Sequence, residues 1–242
     1  MKPTNKPRLP LSRTASLRIN DALDRWLPPA VRDSRLVGRV VRRMYAPLPI
    51  DITEIKDRAF YLSRADYSLF YQSLRSKVDQ GETDLTPESL AGVLDAIAGD
   101  SVLDVACGLG HLATRLAERG HTVTAADVAV RAGRRGSSGK VRWCEVNVEE
   151  LPFRSGAFDT VVSTHTLEHV QHLRETLDEL RRVARRRVVI VVPRQRPYRV
   201  TFNPHVHFFP YEFSWLAWSG TDRPHRLELR GGDWLYVEDQ PS

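Results

Sequence analysis

The chain has 242 residues, 41% of them hydrophobic and 27% charged, which is enough for one full globular domain with an additional segment. No run of about 18 apolar residues is present, and the amino-terminal stretch lacks the apolar core of a secretory signal. This excludes a membrane-spanning helix and predicts a cytoplasmic protein. The two cysteines, Cys107 and Cys144, are too few for an iron–sulfur cluster or a disulfide framework.

Positive charge is concentrated near the amino terminus. The net charge is +6, and residues 1–50 hold eleven Lys and Arg against three Asp. The rest of the chain is therefore weakly acidic and has no overall attraction for nucleic acid. We expect no nucleic-acid partner.

The amino-terminal third divides into two parts. Residues 1–15 are rich in proline and basic residues and are predicted to form a disordered basic arm, and residues 16–85 are predicted to form a helical extension. One side of a helix in this extension comprises Leu36, Val37, Val40, Val41 and Met44. The other side comprises Arg32, Arg35, Arg39, Arg42 and Arg43. A basic amphipathic helix of this kind can pack on the protein, form a homodimer contact or lie on an anionic membrane surface, and the first two are favoured here.

A second helical region is predicted over residues 53–78, with an aromatic stripe that includes Tyr67 and Phe70. Such a stripe usually belongs to a core. Thr86 followed by Pro87 then marks a helix start, with the threonine as N-cap and the proline in the first turn. We place the main domain at residues 86–242.

Residues 101–128 predict a buried strand, a turn, a helix and a second strand that ends on Asp127. The turn contains Gly108 and Gly110, and glycine allows the backbone to approach a ligand because it has no Cβ. A carboxylate at the position of Asp127 can accept hydrogen bonds from both hydroxyls of a ribose. The stretch predicts a nucleoside-binding site.

The kind of nucleoside is left open by the glycines alone, because Gly108-x-Gly110-x-x-Ala113 also fits the dinucleotide fingerprint. Asp104, before the turn, would repel a pyrophosphate but attract the ammonium group of an amino acid. The string VLDVACGLG resembles the first motif of class I S-adenosylmethionine-dependent methyltransferases, with Ala106 in place of its first glycine. The resemblance implies a Rossmann-like α/β fold, a doubly wound, seven-stranded, mostly parallel sheet with an antiparallel C-terminal hairpin.

The resemblance also implies S-adenosylmethionine as the cofactor. Residues 147–153 resemble the family segment D-x-x-x-L-P-F, in which Asn147 replaces the aspartate that receives the adenine amino group. The amino-acid end would be held by Asp104 and the glycine turn, the ribose by Asp127, and the adenine by Asn147 with Val148. In this family amino-terminal helices often cover the cofactor, which gives Phe60 or Tyr61 a possible lid role. The implied cofactor-binding set is Asp104, Ala106, Cys107, Gly108, Gly110, Asp127, Val128, Asn147, Val148 and Thr164.

The segment after the fourth predicted strand contains the candidate catalytic residues. Leu167-Glu168-His169 resembles the Leu-His-His segment of some sugar O-methyltransferases, in which a histidine deprotonates the hydroxyl. His169 is therefore the predicted base, with His165 second and Glu168 beside them. A Glu-His pair also occurs here as a helix cap in relatives without that role, so a structural role is the alternative.

A second histidine pair follows the fifth predicted strand. His205 and His207 alternate on an extended segment, which places both imidazoles on one side, and with Tyr211 they are predicted to line the acceptor pocket. With Glu168 or Asp222 they could hold a divalent ion, but two histidines without a fixed carboxylate partner are weak evidence for one, so no metal is predicted.

These features predict a methyltransferase that acts on a hydroxyl oxygen of a small molecule, with a sugar or glycan hydroxyl slightly favoured. The alternative is C- or N-methylation of a quinone-, lipid- or natural-product-like acceptor. A nicotinamide-dependent oxidoreductase would not need Asp104 or the closing hairpin. A binding module without activity would keep the nucleoside site but lack a working acceptor site.

Overall fold

The computed structural model describes residues 28–45, 48–75, 83–130, 141–200 and 204–241. They form two compact units, and the segment Gln195–Val206 groups with the amino-terminal unit. Within the described ranges, no helix combines the length and apolarity needed to cross a bilayer. The predicted arm over residues 1–15 lies outside the described residues.

The first unit is helical. Its helices are α1 (Pro29–Arg32), α2 (Arg35–Tyr45), α3 (Ile55–Arg58) and α4 (Arg64–Arg75), with a 3-10 turn at Ala59–Tyr61. The predicted aromatic stripe is confirmed as core, because Tyr67, Phe70 and Leu74 of α4 are buried. The core of this unit comprises Val41, Tyr45, Ile50, Ile52, Ile55, Ala59, Tyr67, Phe70, Leu74 and Val200.

The predicted sides of the basic helix are partly wrong. Arg32, expected in solvent, is buried, with its guanidinium 3.4 Å from the centre of the Tyr198 ring and its Nε donating to the Val200 carbonyl at 3.2 Å. Leu36 and Val40, expected in the core, are exposed. The buried face of α2 is instead centred on Val41 and Tyr45, and this rotation leaves Leu36 and Val40 outside.

The second unit contains the predicted sheet. Its strands are β1 (Ser101–Val105), β2 (Thr122–Asp127), β3 (Val141–Glu145), β4 (Phe158–Thr164), β5 (Ala184–Pro193), β6 (His225–Arg230) and β7 (Asp233–Asp239). Its helices are α5 (Pro87–Ala96), α6 (His111–Glu118), α7 (Leu173–Val183) and α8 (Glu212–Ser219). The strand order is β3-β2-β1-β4-β5-β7-β6, with β1 to β5 parallel and β7 antiparallel to both neighbours. The fold class and the closing hairpin are confirmed.

Successive side chains of a strand point to opposite faces of the sheet, so the apolar residues of these strands form two core layers, one on each face. Val102, Val162 and Val189 pack with apolar residues of α5 and α6 on one face. Leu103 and Val161 pack with α7 and α8 on the other. Thr86 caps α5 as predicted, accepting a hydrogen bond from the Ser89 amide at 3.1 Å.

A basic run joins α7 to β5. Arg181 and Arg182 lie in the last turn of α7, and the later arginines lie in β5, which begins at Ala184. Arg185 Nε donates to Asp159 Oδ1 at 3.0 Å, and Arg187 Nε donates to Asp239 Oδ1 at 2.7 Å. Because neighbouring strands carry these carboxylates, the arginines are paired within the sheet and need no helix terminus.

Candidate functional site

The candidate site lies where the strand order reverses, between β1 and β4 of the second unit. In open α/β sheets, ligands bind outside the carboxyl ends of the strands at such a switch point. Val105 at the end of β1 is in register with Ser163 near the end of β4. The two predicted groups of site residues therefore begin from adjacent strand ends.

The turn after β1 is fastened to the end of β2. The Gly108 amide donates to Asp127 Oδ2 at 2.9 Å, and the Ala129 amide donates to Asp127 Oδ1 at 3.1 Å. The Cys107 amide donates to the Ala126 carbonyl at 3.0 Å. Asp127 is buried, so these bonds fix the orientation of its carboxylate.

Two glycines of the turn have different physical roles. Gly108 has φ +56° and no neighbouring atom within 4 Å of the position that a Cβ would occupy, so the space above the turn is open. Gly110 has φ +77°, and a Cβ there would overlap the indole of Trp143 on β3. Gly110 is thus required for packing, whereas Gly108 leaves room for a ligand.

Asp104 is a buried carboxylate at the base of this turn. It is 1% exposed, and its Oδ2 has no hydrogen-bond partner among the described residues. Burial, followed by the nearby Asp127, raises the pKa of Asp104 to about 7. Buried polar atoms are rarely left unpaired, and a cationic donor would both pair this oxygen and favour its charged form.

At the end of β4, His165 lies between two buried carboxylates. Its Nδ1 is 3.5 Å from Glu168 Oε1, and its Nε2 is 3.4 Å from Asp233 Oδ2. Burial lowers the pKa of His165, but the carboxylates of Asp233 and Glu168 outweigh burial and raise it to about 10. His165 is therefore protonated at neutral pH.

The backbone also holds His165 in place. Its φ is +49°, an uncommon conformation for a residue with a side chain, and its amide donates to the Val191 carbonyl at 2.9 Å. Strained conformations of this kind persist only where the surrounding structure imposes them.

Glu168 and His169 follow in a 3-10 helix at Leu167–His169. The Glu168 side chain is 1% exposed, and its Oε2 has no hydrogen-bond partner among the described residues. Its Oε1 lies 3.9 Å from His169 Nε2, and the His169 side chain retains some solvent exposure. A buried carboxylate beside a more accessible imidazole can stabilise the charged form of that imidazole.

Part of this chain is similar to a known protein family. Residues 103–192 match the family model described as a methyltransferase domain. An uncharacterized protein of Mycobacterium tuberculosis is 34% identical over 154 residues, which cover 54% of this chain and 55% of that protein. The ubiquinone/menaquinone biosynthesis C-methyltransferase of Zymomonas mobilis is 27% identical over 164 residues, covering 65% of this chain and 60% of that protein.

The fold has relatives among solved structures. A crystal structure of an S-adenosylmethionine-dependent methyltransferase from Aquifex aeolicus has a TM-score of 0.51 at 19% identity, covering 69% of this chain and 96% of that one. The match to the mycobacterial relative, by contrast, spans little more than half of its length.

Residues 103–192 are similar to a methyltransferase domain, and the second unit that contains them, called the methyltransferase domain below, has the fold of class I methyltransferases. S-adenosylmethionine is the cofactor of the solved relative with this fold. The residues present fit it, because the unpaired Asp104 oxygen suits an ammonium group and the open space at Gly108 admits the ligand backbone. Asp127 lies at the carboxyl end of β2 beside this turn, and a carboxylate oxygen can accept more than one hydrogen bond, which suits the hydroxyls of a ribose.

The remaining cofactor residues predicted for the methyltransferase domain lie at strand ends. Val128 follows β2, Asn147 and Val148 follow β3, and Thr164 ends β4. The Asn147 side-chain oxygen already accepts the Glu149 amide at 3.0 Å, so an adenine amino group would share this acceptor. Burial raises the pKa of the Cys107 thiol, which stays protonated.

The three predicted acceptor-pocket residues differ in burial: His205 and His207 are buried and Tyr211 is exposed. His207 is buried in the methyltransferase domain, where its Nε2 donates to the Val170 carbonyl at 2.9 Å and burial lowers its pKa to about 4. Tyr211 is exposed and stacks on Phe213 at 5.3 Å between ring centroids. His205 belongs to the first unit, where its Nδ1 lies 2.5 Å from Gln195 Oε1.

Sequence analysis missed Asp233 as a member of the site. This residue begins β7, pairs in register with Pro193 at the end of β5, and accepts a hydrogen bond from the Ser89 hydroxyl at 3.0 Å. An antiparallel strand that follows a parallel one starts at the edge where the parallel strand ends. The predicted hairpin therefore contained the signal that places Asp233 beside the end of β4.

Proposed function

We propose that this chain transfers the methyl group of S-adenosylmethionine to a hydroxyl oxygen of a small molecule, with a sugar or glycan hydroxyl favoured. The observation that carries the proposal is the pair formed by His169 and the buried Glu168 immediately after β4. An accessible imidazole beside a buried carboxylate suits removal of a proton from a weakly acidic hydroxyl.

Each residue group has a separate task in this reaction. S-adenosylmethionine supplies a methyl group made electrophilic by its sulfonium. Asp104 and the glycine turn hold the amino-acid end, and Asp127 holds the ribose, so that the acceptor oxygen can be aligned with the methyl carbon. His169 accepts the hydroxyl proton at Nδ1, the ring nitrogen that does not face Glu168, and Glu168 stabilises the imidazolium.

His165 has a positioning role in the proposed reaction. A histidine with a pKa of about 10 already carries its proton at neutral pH and cannot act as a base there. Its charge instead holds Glu168 and Asp233 together at the end of β4. In the proposed reaction His169 alone is the base, and His165 positions the carboxylates beside it.

Methyl-transfer assays with a panel of sugar, glycan and phenolic acceptors test this proposal. We expect transfer to a hydroxyl, and we expect His169→Ala to reduce turnover by about 100-fold or more with little change in cofactor affinity. His172→Ala is the matched control, a nearby histidine outside the proposed site, and should retain activity. Turnover of His169→Ala equal to that of the unmodified protein would remove His169 from the role of base.

C-methylation of a quinone-like acceptor is the second candidate, because the Zymomonas relative is named as a quinone-biosynthesis C-methyltransferase. The two candidates give different products. With a ¹³C-labelled methyl donor, carbon NMR distinguishes a methyl bound to oxygen from a methyl bound to carbon. A labelled methyl on a ring carbon of a quinol would favour the second candidate.

A further inference from the structure

The outer face of α2 combines apolar and cationic side chains. Leu36 and Val40, one helical turn apart, are 70% and 52% exposed. The opposite face is fixed in the core of the first unit by Val41 and Tyr45. The eleven residues of α2 include four arginines and no acidic residue.

These side chains form two parallel rows. Residues four apart lie on the same side of a helix, so the exposed Arg35, Arg39 and Arg43 form one row. Leu36 and Val40 form the next row beside it. The fourth arginine, Arg42, is already engaged by Asp51 and by Thr53 Oγ1. The outer face of α2 therefore comprises the arginine row together with Leu36 and Val40.

We propose that this outer face of α2 docks the protein on an anionic lipid bilayer. A helix that lies in the membrane interface buries its apolar row at the boundary of headgroups and acyl chains, while its arginines reach the lipid phosphates. The concentration of positive charge in residues 1–50 acts in the same direction, because a negative surface attracts basic segments within a Debye length.

Two other occupants match the face less well. Nucleic acid would satisfy the arginines but leave Leu36 and Val40 against polar surface. A second copy of α2 would cover the apolar row but bring two arginine rows together, and like charges at close range repel. An anionic bilayer meets both requirements.

Vesicle co-sedimentation of the full chain tests this proposal. We expect binding to phosphatidylcholine vesicles that contain phosphatidylserine, weakening as salt is raised, and little binding to phosphatidylcholine alone. Each arginine near an anionic surface is expected to contribute about fivefold to partitioning, so removing three should cost about 100-fold. Absence of salt-sensitive binding to the anionic vesicles would overturn the proposal.

Three sets of variants separate a specific face from overall charge. The combination Arg35→Glu, Arg39→Glu and Arg43→Glu should abolish binding, and Leu36→Ser with Val40→Ser should weaken it while leaving its salt dependence. In the control variant, three exposed arginines of the second unit are replaced by glutamate, and this variant should retain most of its vesicle binding. Its positions are Arg115, Arg119 and Arg154.

Two outcomes of the variant series contradict membrane docking. If the control set loses as much binding as the α2 set, the attraction is a property of net charge and not of this face. If Leu36→Ser with Val40→Ser converts a dimer to a monomer and vesicle binding is absent, the face is a contact between two copies. Thermal denaturation of every variant establishes that each is folded.

Discussion

Ala106 adopts a backbone conformation that suits glycine. Its φ is +59°, in the left-handed region where a Cβ approaches the following carbonyl and costs about 1–2 kcal/mol. Gly108, two residues later, has a similar φ of +56° with open space around it. The turn therefore has one strained residue and one unstrained residue in nearly the same conformation.

Substitutions at Ala106 and Gly108 test whether the left-handed conformation strains the alanine. We expect Ala106→Gly to raise the free energy of unfolding by about 0.5–1 kcal/mol, because relief of the left-handed penalty exceeds the added entropy of the unfolded chain. Gly108→Ala should lower it by about 1 kcal/mol without a steric clash. Urea denaturation measures both changes. A lower stability of Ala106→Gly would show that the alanine makes a compensating contact.

The residues proposed to hold the cofactor are predictable from the sequence because they are local. Asp104 and Asp127 stand at the ends of two buried strands joined by one short helix, so a motif and strand periodicity locate them. Asp233 is distant along the chain, and only the antiparallel pairing of β7 brings it to His165. The high pKa of His165 depends on Asp233 as well as on the nearby Glu168, and the local sequence contains only the second of these partners.

Helix α7, helix α8 and strand β7 are joined through a single buried carboxylate. Glu238 is fully buried and accepts hydrogen bonds from Arg181 Nε at 2.9 Å, Arg181 Nη2 at 2.7 Å and the Tyr236 hydroxyl at 2.7 Å. Arg181 also donates to the Ser219 carbonyl at 2.8 Å. Burial would raise the pKa of Glu238, but the bonds from Arg181 and Tyr236 outweigh burial and lower it to about 2.

Stability should therefore fall in acid. A carboxyl whose folded pKa is about 2 and whose ordinary value is 4.5 stabilises the fold above pH 4.5, and this contribution is lost as the pH falls toward 2. Glu238→Gln should destabilise the protein at pH 7 by about 3 kcal/mol, because it leaves the largely buried Arg181 side chain without the charge of Glu238, and should flatten this part of the pH profile.

The free energy of unfolding is measured by urea denaturation between pH 7 and pH 2. Glu228→Gln is the control, since Glu228 pairs with Arg230 near the surface and exposed pairs contribute less than about 1 kcal/mol. Equal effects of the two substitutions at pH 7 would contradict a special role for Glu238.

The sequence predicted strands better than helix faces. Runs of buried β-branched residues and glycine turns located the sheet, because both are local patterns. The faces of α1 and α2 depended on packing within the first unit, where Tyr198 and Val200 draw Arg32 inward. The pairing of the β5 arginines could not be predicted either, because their partners, Asp159 and Asp239, lie on other strands.

At the scale of the whole molecule, charge and chemistry are divided between the two units. The methyltransferase domain gathers its carboxylates and histidines at one edge of the sheet, while the basic residues of the first fifty positions lie outside that domain. The proposed membrane-docking face and the proposed methyl-transfer site lie in different units, so an experiment that contradicts one leaves the other standing.

Calorimetric titration with S-adenosylmethionine tests the central claim that Asp104 and Asp127 hold the two ends of this cofactor. The unmodified protein should bind S-adenosylmethionine and should not bind a nicotinamide dinucleotide. Asp104→Asn and Asp127→Ala should each weaken binding by about 1–3 kcal/mol, the scale for groups left without their polar partners. Unchanged affinity in both variants, or tighter binding of the nicotinamide dinucleotide, would contradict the claim.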